Sequence, residues 1–173
     1  MLAEFADRIA FGDGVIDIGA NDGTWACGFA ERVGDTGHVL AVEPDPVTCE
    51  RAIERCRMLP QVTVLQAAVG AASGMRLLYR DPDDSRRSSL WERNVIAVGG
   101  GHIDVPVMTL DEIAGRVPNL AAIKIDAQGA EVDILRGAPE TLARRLIWQL
   151  EYWPLGFVVA GSPVRALDRK SVV

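Results

Sequence analysis

The sequence predicts an α/β fold, a doubly wound and mostly parallel sheet formed by residues 1–173 as one domain. Three observations lead there. Short apolar runs alternate with segments of helical period, as strand–helix–strand units require. The first run, within VIDIGANDGTW (15–25), ends in an acid and is followed at once by Gly19 and Gly23. A second run also closes on an acid, Glu43.

The elements follow in order. Glu4 and Asp7 among Leu2, Phe5 and Ile9 read as a short amphipathic helix rather than a signal peptide. Val15 to Ile18 is the first strand, and Thr24 to Val33 a helix closed by Gly34. Val39 to Val42 is the second strand. Pro46 starts a helix that runs to about Met58, ahead of Pro60. Val62 to Leu65 is the third strand. There the rhythm changes. Met75 to Tyr79 reads as a strand after the Ser73-Gly74 turn, and Ile103 to Val107 as another, with a polar loop from Asp81 to Ser89 and a flexible point at Gly99-Gly100-Gly101. Thr109 caps a short helix, with Glu112 at capping-box spacing. Ala122 to Ile125 is the next buried strand. A helix through Leu135 stops at Gly137, a shorter one spans Pro139 to about Arg144, and Leu146 to Leu150 is the last clear strand.

Composition narrows the function. The chain has 173 residues, 49% of them hydrophobic, enough for a packed core without staples. A net charge of −6 argues against nucleic acid as a partner. Three cysteines without metal spacing, and only two histidines, argue for reduced thiols and against a zinc site. No apolar run approaches membrane-spanning length, so no membrane partner is expected and the expected location is cytoplasmic.

In an open parallel sheet, ligands bind beyond the carboxyl ends of the strands. Glycines at 19 and 23 let the backbone approach such a ligand, because no Cβ holds it off. The loop is not G-x-G-x-x-G, since Ala20, Asn21 and Asp22 lie between the glycines. Asp17 and Asp22 would repel a pyrophosphate and attract an ammonium. Glu43, at the end of the second strand, is placed to hold two ribose hydroxyls. An ammonium at one end and a ribose at the other describe S-adenosylmethionine better than NAD. The alternative is that Asp17 and Asp22 cap the helix and Glu43 is a surface acid.

DIGANDG (17–23), VEPDP (42–46), TLDEI (109–113), IKIDAQGAEVDILRGA (123–138) and LEYWP (150–154) together resemble FkbM-type methyltransferases. The resemblance implies a Rossmann-like fold of the class I methyltransferase type, S-adenosylmethionine as cofactor, and methylation of hydroxyl oxygens on sugars or secondary metabolites. It also implies that Asp17, Gly19, Asn21 and Gly23, with Asp22 between them, surround the methionine moiety. Glu43 would take the ribose, and Asp45 or the Ala67-Ala68 turn the adenine. The acid that this fold often offers to the adenine amino group is missing, because the stretch reads Gln66-Ala67-Ala68. Ser88-Ser89-Leu90 resembles the family's small polar motif, though a serine pair in a polar loop also serves as a solvated turn.

A hydroxyl acceptor must lose its proton during attack, which calls for a base or a metal. Asp126 and Glu151 end adjacent strands, and Lys124 shares the face of Asp126 by strand alternation. These three are the candidate catalytic residues. Lys124 can instead pair Asp126 or Asp17 and neutralise the rim, and Glu131 can be a first-turn helix acid stabilised by the dipole. Two neighbouring carboxylates also admit Mg²⁺, so a general base and a metal ligand both stay open, with no metal ligand assigned. Trp91 and Trp153 are walls for a small-molecule or carbohydrate acceptor, or simply packing aromatics.

The residues after Glu151 supply one helix from about Ser162 or one short strand, so the final strand pair of the class I fold is expected to be lacking. The strand ending at Glu151 should then lie at a sheet edge, partly uncovered unless the tail or a second copy of the chain covers it. Two other function classes stay open: an NAD-binding oxidoreductase, and a module that binds the cofactor without turnover.

Overall fold

A computed structural model of the chain describes residues 2–81, 88–90 and 101–151. Its elements, in chain order, begin with α1 (Leu2–Asp7), β1 (Gly14–Ile18), α2 (Thr24–Val33), β2 (His38–Val42), α3 (Pro46–Cys56) and β3 (Val62–Leu65). A middle group follows: β4 (Ala68–Val69), β5 (Gly74–Tyr79), β6 (His102–Met108) and α4 (Leu110–Ala114). The last are β7 (Leu120–Ile125), α5 (Glu131–Arg136), α6 (Pro139–Leu142) and β8 (Ile147–Leu150).

Five strands form the central sheet in the order β3-β2-β1-β7-β8, every pair parallel. Strand order reverses at β1, whose neighbours are β2 on one side and β7 on the other. This reversal opens a crevice at the carboxyl ends of β1 and β7, where parallel sheets bind ligands. The polar middle of the chain forms a second sheet, β4-β6-β5, with β4 parallel and β5 antiparallel to β6. Its two-residue strand β4 is too short to leave a periodic signal in the sequence.

Both faces of the central sheet are covered, which is why residues 39–42 of β2 read as a continuous apolar run rather than an alternating one. Alternation survives in three dimensions. Ile16, Ile18, Leu40, Val42, Ile123 and Ile125 face one core with α4 and α5. Val15, Val39, Ala41 and Ala122 face the other, packed on Phe29 and Val33 of α2. Asp17 and Lys124 belong to this second face and stand opposite each other in the β1–β7 register.

Local signals set the boundaries. Asp45 caps α3 by accepting from the Thr48 N–H at 3.0 Å, with Pro46 in the first helical turn. Thr109 and Glu112 form the expected capping box of α4. Helices α3 and α6 end about two residues earlier than the sequence suggested, within the usual fraying of helix ends. Strand β8 lies at the edge of the sheet among the described residues, with Ile147, Trp148, Gln149 and Leu150 all half-buried. The expectation for the final strand pair concerns residues outside those described.

Candidate active site

A cavity of about 770 Å³ opens above the carboxyl ends of β1, β2, β7 and β8. Its floor is the loop after β1. Gly19 (φ 72°) passes so close to the next strand that a Cβ would fall onto the Asp126 carbonyl oxygen, so this approach is open only to glycine. Asn21 takes the same left-handed conformation (φ 51°), which Asn tolerates better than most residues. Gly23 (φ 81°) ends the loop as the N-cap of α2 and is not on the cavity wall.

Glu43 ties this loop to the next. Its Oε2 accepts from the Asn21 N–H at 2.9 Å and its Oε1 from the Asp45 N–H at 3.0 Å. Burial pushes the carboxyl up to about 7, although both N–H groups favour the ionised form. Glu43 lines the cavity and is a buried, fixed acceptor rather than a surface acid.

The structure separates the other acids. Asp17 is fully buried, and its Oδ1 accepts from Lys124 Nζ at 2.9 Å. Burial holds its pKa above the ordinary carboxylate range, with Lys124 opposing. The second Lys124 contact, to Asp126, is longer at 3.8 Å. Neither Asp17 nor Lys124 is on the cavity wall, so the pair braces β1 against β7 behind the site. Asp22 does line the cavity, but its carboxylate is committed to Arg55 at 2.6 Å and to Thr24. Burial pushes its pKa up, while the bonds from Thr24 and Arg55 outweigh it and hold the group below the ordinary value. Asp45 is buried behind the wall, capping α3 and pairing with Arg80.

Asp126 and Glu151 meet on the opposite wall. Gln128 Nε2 donates to Asp126 Oδ1 at 3.0 Å and to Glu151 Oε2 at 3.2 Å. The hydrogen bond with Asp126 pushes Glu151 up to about 7, helped by burial and by the charges of Asp126 and Glu131, with Lys124 opposing. Glu131 is buried at the start of α5, and its Oε1 accepts from Ala127 N–H at 3.0 Å and Gly129 N–H at 3.3 Å. It fixes the loop and takes no place on the wall.

The roof comes from the second sheet, through Ala68, Val69 and Leu78, joined by Ala67, Ser88, Ser89 and Leu90. Ser89 is pinned to Tyr79 by two backbone bonds of 2.9 Å, so this stretch is anchored rather than a free solvated turn. Trp25 and Arg51 complete the wall and were not singled out in the sequence, since a helix-borne Trp and Arg carry no motif of their own. Trp91 and Trp153 lie outside the described residues. No group of three or more His, Cys, Asp or Glu side chains is arranged to hold a metal ion among the described residues. In the same residues, no helix is long and apolar enough to cross a membrane.

Comparison with known proteins matches the methyltransferase FkbM domain over residues 17–162. The hexuronic acid methyltransferase AglP of Haloferax volcanii is 28% identical over 135 residues, covering 73% of this chain and 50% of that protein. The 2-O-methyltransferase NoeI of Sinorhizobium fredii is 24% identical over 168 residues, covering 88% of this chain and 68% of that one. The chain thus spans about half the length of the first relative and about two thirds of the second. Among solved structures, an FkbM methyltransferase from Methylobacillus flagellatus KT aligns over 73% of this chain and 28% of its own, at 22% identity and a TM-score of 0.47. With its five-stranded parallel sheet, its glycine-floored crevice and a family match over most of its length, this chain belongs to the FkbM methyltransferase domain family.

Proposed function

We propose that the chain binds S-adenosylmethionine and transfers its methyl group to a hydroxyl oxygen of a small molecule or sugar. The observation that carries this reading is the opposition, across one cavity, of a ribose-type acceptor (Glu43) and a carboxylate pair (Asp126 and Glu151). The cavity suits the cofactor in volume, in its glycine floor and in its acidic lining, which favours a cationic ligand. Gly19 and Asn21 would flank the methionine end, Glu43 the ribose, and Ala67, Ala68 and Leu78 the adenine. Asp17, Gly23, Asp45 and Lys124 would act behind this wall, by holding it in shape.

Bound S-adenosylmethionine supplies a methyl group made electrophilic by its sulfonium, which leaves as a neutral thioether. The protein aligns the acceptor oxygen behind that carbon, a contribution of about 7–11 kcal/mol in well-oriented reactions. Glu151, poised near neutrality beside Asp126, accepts the hydroxyl proton as the oxygen–carbon bond forms. Magnesium is not needed in this scheme, so activity is expected to persist in EDTA. Loss on chelation with recovery on added Mg²⁺ would make the same carboxylates metal ligands. The names of the relatives, one for hexuronic acid and one for 2-O-methylation, support an oxygen on a sugar-like acceptor.

Calorimetry with S-adenosylmethionine, S-adenosylhomocysteine and NAD tests the cofactor. Preferential binding of NAD would overturn the reading in favour of an oxidoreductase. Transfer of labelled methyl to a panel of methyl hexosides and hexuronates tests the acceptor, and binding without transfer to any of them would favour a non-catalytic module. We further propose a cytoplasmic location, no nucleic-acid or membrane partner, and association of two chains through the half-covered β8 edge. Light scattering across a concentration series is expected to show a dimer, and a monomer at every concentration would rule that contact out.

A further inference from the structure

Gln128 carries a backbone conformation that most residues avoid. Its φ is 50°, a left-handed geometry that a non-glycine residue keeps only where its surroundings impose it. Here they do. Ser89 Oγ donates to the Gln128 carbonyl at 3.1 Å. On either side, the N–H groups of Ala127 and Gly129 both point at Glu131 Oε1. The second sheet and the start of α5 therefore clamp this turn from two directions. The result is a side chain laid across the ends of β7 and β8, with its amide nitrogen 3.0 Å from Asp126 and 3.2 Å from Glu151. An amide nitrogen has two N–H donors, one for each acid.

We propose that Gln128 is a positioning residue, whose side-chain amide holds Asp126 and Glu151 together as one proton-accepting pair facing the cavity. Its consequence for catalysis rests on the methyl-transfer reading; the geometry does not. The choice of residue follows from electrostatics. Two adjacent carboxylates repel when both are ionised, and a lone pair of acids would drift apart into water. An Arg or Lys between them would hold them, but its charge would stabilise both carboxylates and make them poor bases. A neutral donor holds them without that loss. The other charged groups facing Glu151 are Asp126, Glu131 and Lys124, and the Lys124 ammonium lies closer to Asp17 (2.9 Å) than to Asp126 (3.8 Å).

The test needs no acceptor. Side-chain carboxyl carbons of the full, ¹³C-labelled chain are titrated by NMR, with the two signals assigned by their loss in Asp126→Asn and Glu151→Gln. In the unaltered protein the Glu151 step is expected near 7. Gln128→Gly fits the left-handed backbone without strain and removes both donors; the acids then separate into water, Glu151 loses the contact with Asp126 that raises it, and the step should fall from about 7 by about half a pH unit or more. Gln128→Asn tolerates the same backbone but is one methylene too short to span both acids, and should move it in the same direction. It also supplies the measurement if the glycine variant fails to fold. An unchanged or raised step in the folded variants overturns the proposal. Affinity for S-adenosylmethionine should stay within about twofold, because the amide nitrogen is committed to the two acids. A tenfold loss would instead make Gln128 a cofactor ligand and overturn its role as a positioning residue. Failure of the unaltered protein to bind S-adenosylmethionine would defeat the methyltransferase reading separately, and leave the titration as the judge of Gln128.

Discussion

Glu43 spends both carboxylate oxygens on backbone N–H groups, one from each of the two loops that floor the cavity. Each oxygen keeps a second lone pair for a ribose hydroxyl. Glu43→Ala is expected to weaken S-adenosylmethionine binding by about 1.5–3 kcal/mol, the range for hydrogen bonds to a charged group. Calorimetry on a variant shown to be folded measures it, and unchanged affinity would return Glu43 to a purely structural role. The hydroxyls donate to the ionised carboxylate, so binding should pull its pKa down from about 7 and release a proton. Affinity should accordingly rise with pH up to about 7 and then level, with heats that differ between buffers of different ionisation enthalpy. Asp126 makes a separate prediction. Asp126→Asn should leave cofactor affinity near normal and lower turnover by about 10²–10⁴-fold, the usual worth of a positioned base, because it breaks the pair through which Glu151 accepts the proton. Near-normal turnover would assign Asp126 to the structural network alone.

Between elements, the decisive contact joins β1 to β7. Asp17 and Lys124 face each other in register on the α2 side of the sheet, with side chains 0% and 4% exposed. Removing one partner leaves the other charged in an apolar layer. Lys124→Met is therefore expected to cost about 3–5 kcal/mol in urea denaturation, and a double variant with Asp17→Leu should recover much of it. A loss of less than about 1 kcal/mol would mean that water reaches the pair, as it does for exposed ion pairs. This contact also sets the site. It locks the strand ends that carry Gly19 and Asp126, the two segments that touch too closely for any side chain but hydrogen at position 19.

For the molecule as a whole, several carboxyls are held above their ordinary range. Glu43 and Glu151 are each pushed up to about 7, and Asp17 and Glu131 are raised as well. Such groups bind protons more tightly folded than unfolded, so their stabilisation is complete below the unfolded pKa and is lost as pH rises through the folded one. The ligand-free protein should thus lose thermal stability between about pH 4.5 and 7. Asp22, Asp111 and Glu112, whose pKa values are lowered, act oppositely and withdraw stability only as pH falls below the ordinary carboxylate range. Melting temperatures at half-unit steps from pH 4 to 8 check the sign. A steady rise through pH 7 would show that the raised acids are hydrated. Bound cofactor should flatten the decline, because it favours the ionised form of Glu43.

The order of strands and helices, the acids at strand ends and the capping box at Thr109 were legible in the sequence, because period, capping and glycine punctuation are local properties. So was the list of acids worth attention. Their roles were not, since a role depends on which face a strand turns to which neighbour. Asp17 and Asp22 look alike in DIGANDG, yet one is buried against Lys124 and the other pairs with Arg55 at the rim. Gln128 stands in the block that carried the resemblance, but only the left-handed turn reveals that its amide spans two carboxylates from different strands. Leu78 reaches the cavity through a separate three-stranded sheet, one strand of which is only two residues long. The local code named the parts; burial and strand register, which are long-range, decided which of them face the ligand.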